Sequence, residues 1–224
     1  MSAPRPAKGP PQRVVLEGRY VRLEPIGPQH VASLYDAIGS ADGRERFTWL
    51  FETAPETEAA LASYVQRAAA ADDPLMFAVV DSVTGRTEGR QALMRIVPEH
   101  GVIEIGSIYW GPRMARSRRA TEALYLAARY VFDELGYRRF EWKCNNHNAP
   151  SKAAAERFGF SFEGIFRQHM IQKGQNRDTA WFAMLDSEWP ARKAEYERWL
   201  APDNFDDKEQ QRSRLRFDKI GSRT

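Results

Sequence analysis

The run from Glu104 to Ala123, EIGSIYWGPRMARSRRATEA, gathers side chains that could do chemistry. It starts as an apolar stretch, passes through Arg113, Arg116, Arg118 and Arg119, and then takes on helical spacing. A loop that feeds a helix presents unpaired backbone N–H groups and the positive end of the helix dipole. Together these make an oxyanion site, and guanidinium forks match phosphate oxygens. A solvated basic loop before a surface helix would use the same residues. Glu104 interrupts Val102, Ile103 and Ile105, so its carboxylate falls on a largely buried strand. It needs a partner there or a shifted pKa, and a structural ion pair satisfies that need as well as a catalytic role does. The single cysteine, Cys144, reads as a core thiol, and the 4 histidines show no metal-ligand spacing, so no metal is expected.

These residues need elements to hold them. Val102 to Trp110 is nearly all apolar and is expected as a central strand. Thr121 to Leu135 carries a stripe of Leu124, Ala127, Ala128, Val131 and Leu135, with Gly136 as its stop. Arg138 to Cys144 alternates as a strand. Asn148 can cap a short helix running to Phe158, with Pro150 in its first turn and Gly159 as terminator. Upstream, strands are expected at Arg19–Glu24, Met76–Asp81 and Arg90–Val97, and helices at Pro28–Ile38 and Glu56–Ala70. Downstream, Phe160–Ile171 and Thr179–Leu185 form a hairpin around Lys173 to Asn176, before a last helix at Ser187–Leu200. The order is mixed α/β: a strand meander, then one strand–helix–strand crossover.

The chain has 224 residues, 42% of them apolar and 28% charged, which suits one globular domain. That domain is expected over residues 14–204, with flexible terminal segments at 1–13, rich in proline, and 205–224, rich in charge. A net charge of +3 and pI near 9.0 favour an anionic ligand but are too weak to argue for nucleic acid. One cysteine excludes an internal disulfide and fits a reducing compartment. With no long apolar run and no secretory-type start, a cytoplasmic protein without a membrane span is expected.

The order of strand, phosphate-type loop, helix, strand, Asn-x-x-Ser helix and Gly-Phe resembles the GNAT superfamily of acetyl-CoA-dependent N-acyltransferases. RYVRLEPI, EIGSIYWGP, RRATEALYLAARYVFDELGYRRFEWKCNNHNAPSKAAAERFGF and FEGIFRQHMIQKGQNRDTAWFAML carry the resemblance, over roughly Val14 to Leu200. It is closest to the RimJ/RimL-type branch of ribosomal-protein N-terminal acetyltransferases. The resemblance implies a mostly antiparallel sheet flanked by helices and splayed at the acetyl-CoA site. It implies a pyrophosphate loop at Arg116, Ser117, Arg118, Arg119, Ala120 and Thr121, and strand contacts to the cofactor from Ile108, Tyr109 and Trp110. The family loop pattern Gln/Arg-x-x-Gly-x-Gly/Ala departs here twice: Ala115 stands in the Gln/Arg position and Arg118 in a glycine position. Asn148 and Ser151 fill the Asn-x-x-Ser positions, which implies that Asn148 holds the pantetheine arm and Ser151 protonates the leaving thiolate. A helix-capping pair would use the same two residues. Many other members carry a tyrosine where this chain has Ala155.

Acetyl transfer needs a neutral amine, a polarised carbonyl, a proton for the thiolate and two aligned substrates. Glu104 is the leading candidate for the base, with His169 and Glu163 behind it. Phe47, Trp49, Phe51, Tyr109 and Trp110 could line an acceptor pocket, although core filling explains at least half of them. The function implied is direct acetyl transfer to a primary amine: a protein N-terminus, an aminoacyl conjugate or a small amine. A homodimer is compatible with this reading. The competing readings are a non-catalytic acyl-CoA-binding module and a basic RNA- or ribosome-associated factor.

Overall fold

A computed structural model describes residues 5–217. Eight strands form one sheet in the order β1-β2-β3-β4-β5-β6-β8-β7. They are β1 (Leu16–Glu17), β2 (Val21–Pro25), β3 (Leu75–Asp81), β4 (Thr87–Val97), β5 (Val102–Trp110), β6 (Arg139–Asn145), β7 (Ser161–Gln172) and β8 (Gln175–Leu185). Every neighbouring pair is antiparallel except β5 and β6, which run parallel. The parallel pair requires a crossover, and helix α4 (Arg118–Arg129) supplies it. The remaining helices are α1 (Val31–Ile38), α2 (Ala41–Glu45), α3 (Glu58–Ala70), α5 (Ala149–Arg157) and α6 (Trp189–Leu200).

Two apolar clusters sandwich the sheet. On one face Leu124, Ala127 and Val131 meet Ile103, Ile105, Phe140, Trp142 and Phe182. On the other, Leu34, Ile38, Leu61 and Val65 from α1 and α3 cover Met76, Ala78 and Ala92. A fully buried Leu or Val in these clusters contributes about 2 kcal/mol. The helix starts follow from side-chain caps. Ser117 accepts the Arg119 N–H, Thr57 the Ala60 N–H, and Asn148 the Ser151 N–H.

β5 does not run in one register. Ala92 pairs with Gly106 but Arg90 pairs with Tyr109, so β5 carries one extra residue. Ser107 absorbs it with φ of 48°. Side-chain parity therefore flips: Ile105 and then Ile108 and Trp110 face the α4 side, while Tyr109 joins the α1–α3 cluster. Arg90, 2% exposed, holds the bulge by donating from Nη1 to the Ser107 carbonyl at 2.7 Å.

Several elements differ from expectation. β1 and α2 were not foreseen, because Leu16–Glu17 and Ala41–Glu45 are too short to show a period. β8 begins at Gln175 rather than Thr179, because Lys173 and Gly174 make a tight hairpin turn with φ of 51° and 76°. Parts of both terminal segments are anchored to the domain. Ala7 and Lys8 donate N–H groups to the Pro98 and Leu135 carbonyls, both at 2.9 Å, and Pro11 is buried. Phe205 meets Trp199 edge-on with centroids 5.0 Å apart, and Phe217 lies 5.2 Å from Tyr196. Proline content and charge masked these anchors. Residues 1–4 and 218–224 lie outside the described residues.

Candidate active site

β5 and β6 pair only from Val102↔Arg139 to Ile105↔Trp142, and then separate. Beyond Ile105, β5 keeps its bonds to β4 and has no β6 partner, so the sheet opens into a fork. Trp142, the last paired residue of β6, donates its indole N–H to Ser151 Oγ at 3.0 Å. The hydroxyl thus accepts from a buried donor. Ser151 also lies against the Cys144 thiol, which burial pushes above its ordinary pKa. Asn148 Oδ1 caps the Ser151 N–H at 3.1 Å, so the capping role weighed from sequence is present and fixes Ser151 at the fork. Trp110, on the opposite lip, packs edge-on to Phe158 at 5.8 Å and donates its indole N–H to Gln91.

The arginine loop leads from β5 into α4. Its inner N–H groups are consumed: those of Met114 and Ala115 by Gly111, and that of Ser117 by Met114. Among the described residues, the N–H groups of Arg116, Arg118 and Ala120 have no acceptor. That is the donor set an oxyanion site requires. Arg116 is exposed with φ of 63°. Arg118 stands in the expected glycine position without a positive φ, because it is already the first residue of α4. Its guanidinium lies 4.3 Å from the Tyr20 ring and pairs with Glu209 at 2.8 Å. Arg119 pairs with Asp81 at 3.0 Å and with Glu209 at 3.2 Å. Arg113 turns away from the loop to Glu88 at 2.9 Å. Thr121 is fully buried, and its hydroxyl accepts from Arg157 at 3.1 Å.

The base candidates are placed differently from expectation. Glu104 is 3% exposed, and its Oε2 meets Arg95 at 2.6 Å and Lys143 at 3.0 Å. Lys143 continues to Glu141 at 2.6 Å, and Glu141 to Arg139 at 2.6 Å. These contacts place Glu104 in an ion-pair hub, the structural role weighed for it from the sequence. Glu163 closes the chain at Arg139, whose guanidinium hydrogen bonds hold its carboxyl below the usual range. His169 is an exposed hairpin residue, with Nδ1 3.0 Å from Thr179 Oγ1.

Of the five aromatic candidates, Phe47 and Tyr109 are core, with Tyr109 donating its hydroxyl to the Ala37 carbonyl. Ile108 and Tyr109 can therefore offer a cofactor only the main chain or a flank. Trp49 and Phe51 are exposed on the loop between α2 and α3. The β7–β8 hairpin reaches that loop: Gln172 Nε2 donates to the Trp49 carbonyl at 3.0 Å and Lys173 Nζ to the Phe47 carbonyl at 2.9 Å. Sequence reasoning missed Arg90, Trp142 and Arg177. A cation inside an apolar strand was the available signal for Arg90; the other two look like ordinary strand residues.

Comparisons with known proteins agree with this geometry. Residues 21–161 match the acetyltransferase (GNAT) domain family. A GCN5-related N-acetyltransferase from Brucella melitensis is 59% identical, with a TM-score of 0.91 over 94% of this chain and 96% of that one. A probable GNAT-family acetyltransferase from Chromobacterium violaceum ATCC 12472 is 37% identical, with a TM-score of 0.77 over 85% and 94%. The uncharacterized N-acetyltransferase YnaD of Bacillus subtilis (strain 168) is 28% identical over 86 residues, which span 38% of this chain and 50% of that protein. No helix among the described residues is long and apolar enough to cross a membrane. A mixed sheet forked between its parallel strands, with open N–H groups at the helix that follows, is thus joined to a family match across most of the chain, and the chain belongs to the GNAT acetyltransferase family, enzymes that draw their acyl group from acetyl-CoA.

Proposed function

We propose that this chain transfers the acetyl group of acetyl-CoA directly to a primary amine. The observation that carries the reading is the fork itself: an unpaired β5 edge beyond Ile105, a serine hydroxyl at its apex and free N–H groups at its mouth. These features fit the cofactor's extended amide arm and its pyrophosphate. The N–H groups of Arg116, Arg118 and Ala120 would hold the pyrophosphate, with the Arg118 and Arg119 side chains beside it. The β5 edge from Ser107 to Trp110 would bind the arm as an added strand does. Bound there, acetyl-CoA supplies an activated thioester.

The chain's own part is position and one proton. Ser151, oriented by Trp142 and by its place in the first turn of α5, would give its hydroxyl proton to the departing sulfur and recover one, directly or through water, from the nitrogen that has gained the acetyl group, so that the amine's proton ends on the thiol. Asn148 Nδ2, left over by the cap, can donate to the amide arm. The buried Cys144, kept protonated, does not act as a nucleophile, so no acyl-enzyme forms. Glu104 holds Lys143 and Arg95 in place and takes no proton. The RimJ/RimL-type assignment rests on the Asn148–Ser151 spacing and the segment resemblance, and a cytoplasmic location rests on cysteine usage. The acceptor enters from the Trp49–Phe51 side.

Incubation with acetyl-CoA and a panel of amines tests this, with thiol release and acetylated products measured by mass spectrometry. Acetylated amine with equimolar free thiol is expected. Stoichiometric cofactor binding without any product would instead favour a non-catalytic module.

A further inference from the structure

Arg177 is 7% exposed, yet of its nitrogens only Nη1 has a partner, the Met170 thioether at 3.0 Å. Its Nε is buried with no acceptor at all. A thioether is a weak acceptor, and a buried guanidinium without a carboxylate is costly. Arg95, Lys143 and Arg139 each bond to Glu104, Glu141 or Glu163; Arg177 feels the charge of Glu104 but bonds to none of them. The desolvation it suffers lowers its pKa. Such a charge is retained when something absent from the chain completes it.

Its place says what that is. β8 leaves β6 at Asn145↔Thr179, and Arg177 follows just past that end, on the strand face that carries Thr179 and Trp181. Lys143 lies against the Trp181 ring at 3.7 Å on this same face. The Phe51 ring covers the guanidinium at 5.0 Å. Arg177 thus sits where the hairpin meets the α2–α3 loop, the side from which the proposed reading brings the acceptor. A planar fork with open donors suits two oxygens of one anionic group.

We propose that Arg177 binds an anionic oxygen group carried by the acceptor, so that the substrate is an amine bearing a carboxylate or phosphate. This rests on the acetyl-transfer reading above. One end of the substrate is then anchored at Arg177 while its amine points to the fork, the alignment that transfer requires.

The test compares matched amine pairs with acetyl-CoA: amino acids against their amides, and O-phosphoethanolamine against ethanolamine. The wild type is expected to favour the anionic member by roughly 10- to 100-fold in kcat/KM. The pair giving the larger ratio tells carboxylate from phosphate. In Arg177→Met the ratio collapses toward one, and in Arg177→Lys it is reduced. Melting temperature is the second readout: Arg177→Met keeps or raises Tm, because a buried guanidinium with unmet hydrogen bonds is removed. Equal rates within each pair, a ratio that survives in Arg177→Met, or a fall in Tm with the ratio intact overturns the proposal and leaves acetyl transfer standing. Absence of turnover on every pair despite bound acetyl-CoA overturns the anionic acceptor. Failure to bind acetyl-CoA at all overturns the acetyl-transfer reading instead.

Discussion

Ser151→Ala separates the catalytic role of this residue from its structural one. The substitution removes a proton donor and also strips the Trp142 indole N–H of its acceptor at 3.0 Å. Trp142 is 5% exposed, so that donor is left unsatisfied. The expected cost is about 2 kcal/mol, or a fall in Tm of about 6 °C for a chain of this size. Turnover should fall by roughly 100-fold if Ser151 protonates the thiolate. The double variant Trp142→Phe/Ser151→Ala removes both partners of the bond, so most of the lost stability should return while turnover stays low. Thermal melts and steady-state kinetics on the four proteins of this cycle, with acetyl-CoA affinity from calorimetry, decide the matter. Turnover of Ser151→Ala within twofold of wild type, across pH, would refute the donor role. Recovery of turnover along with stability in the double variant would show that the serine acts only through packing.

Three further outcomes follow from the surrounding contacts. Glu104→Gln should lower Tm, because Lys143 then keeps only Glu141, while turnover of the folded protein stays normal; a lost acidic limb in its pH–rate profile would restore the base role. Replacing Arg116, Arg118 and Arg119 together with Ala should weaken CoA binding in calorimetry and flatten its salt dependence, whereas Glu209→Gln should tighten it by freeing Arg118 and Arg119; unchanged affinity in both would remove the loop from the cofactor site. Arg139 lowers the Glu163 pKa in the folded state, so this carboxylate adds stability above its unfolded pKa of about 4 and loses it as pH falls through the lower folded value; Glu163→Gln should therefore flatten the acid limb of a Tm–pH curve, and an unaltered limb would count against the pairing.

The elements that position the site were legible where local signals agreed. Val102–Trp110 was read at its true bounds, and Asn148 was recognised as a cap, because periodicity and cap chemistry are short-range. The bulge at Ser107 was not legible: residues on both sides of it are apolar, so a flip in parity leaves no trace in the pattern. For the same reason Tyr109 looked like a candidate ligand and proved to be core. Glu104 was rightly read as a buried carboxylate needing partners, but Arg95 and Lys143 come from two other strands, and only pairing register brings them together. Arg177 stands in a polar hairpin run, NRDT, where nothing local marks it as buried.

The two tethers between the hairpin and the α2–α3 loop end on main-chain carbonyls, those of Phe47 and Trp49. A carbonyl is present whatever side chain the residue carries. Trp49 can therefore be exchanged during divergence or by a library without loss of these bonds, whereas Phe51 also covers Arg177 with its ring. Most side chains of this loop are in this way uncoupled from the bonds that join it to the hairpin, and they can diverge on an unchanged architecture.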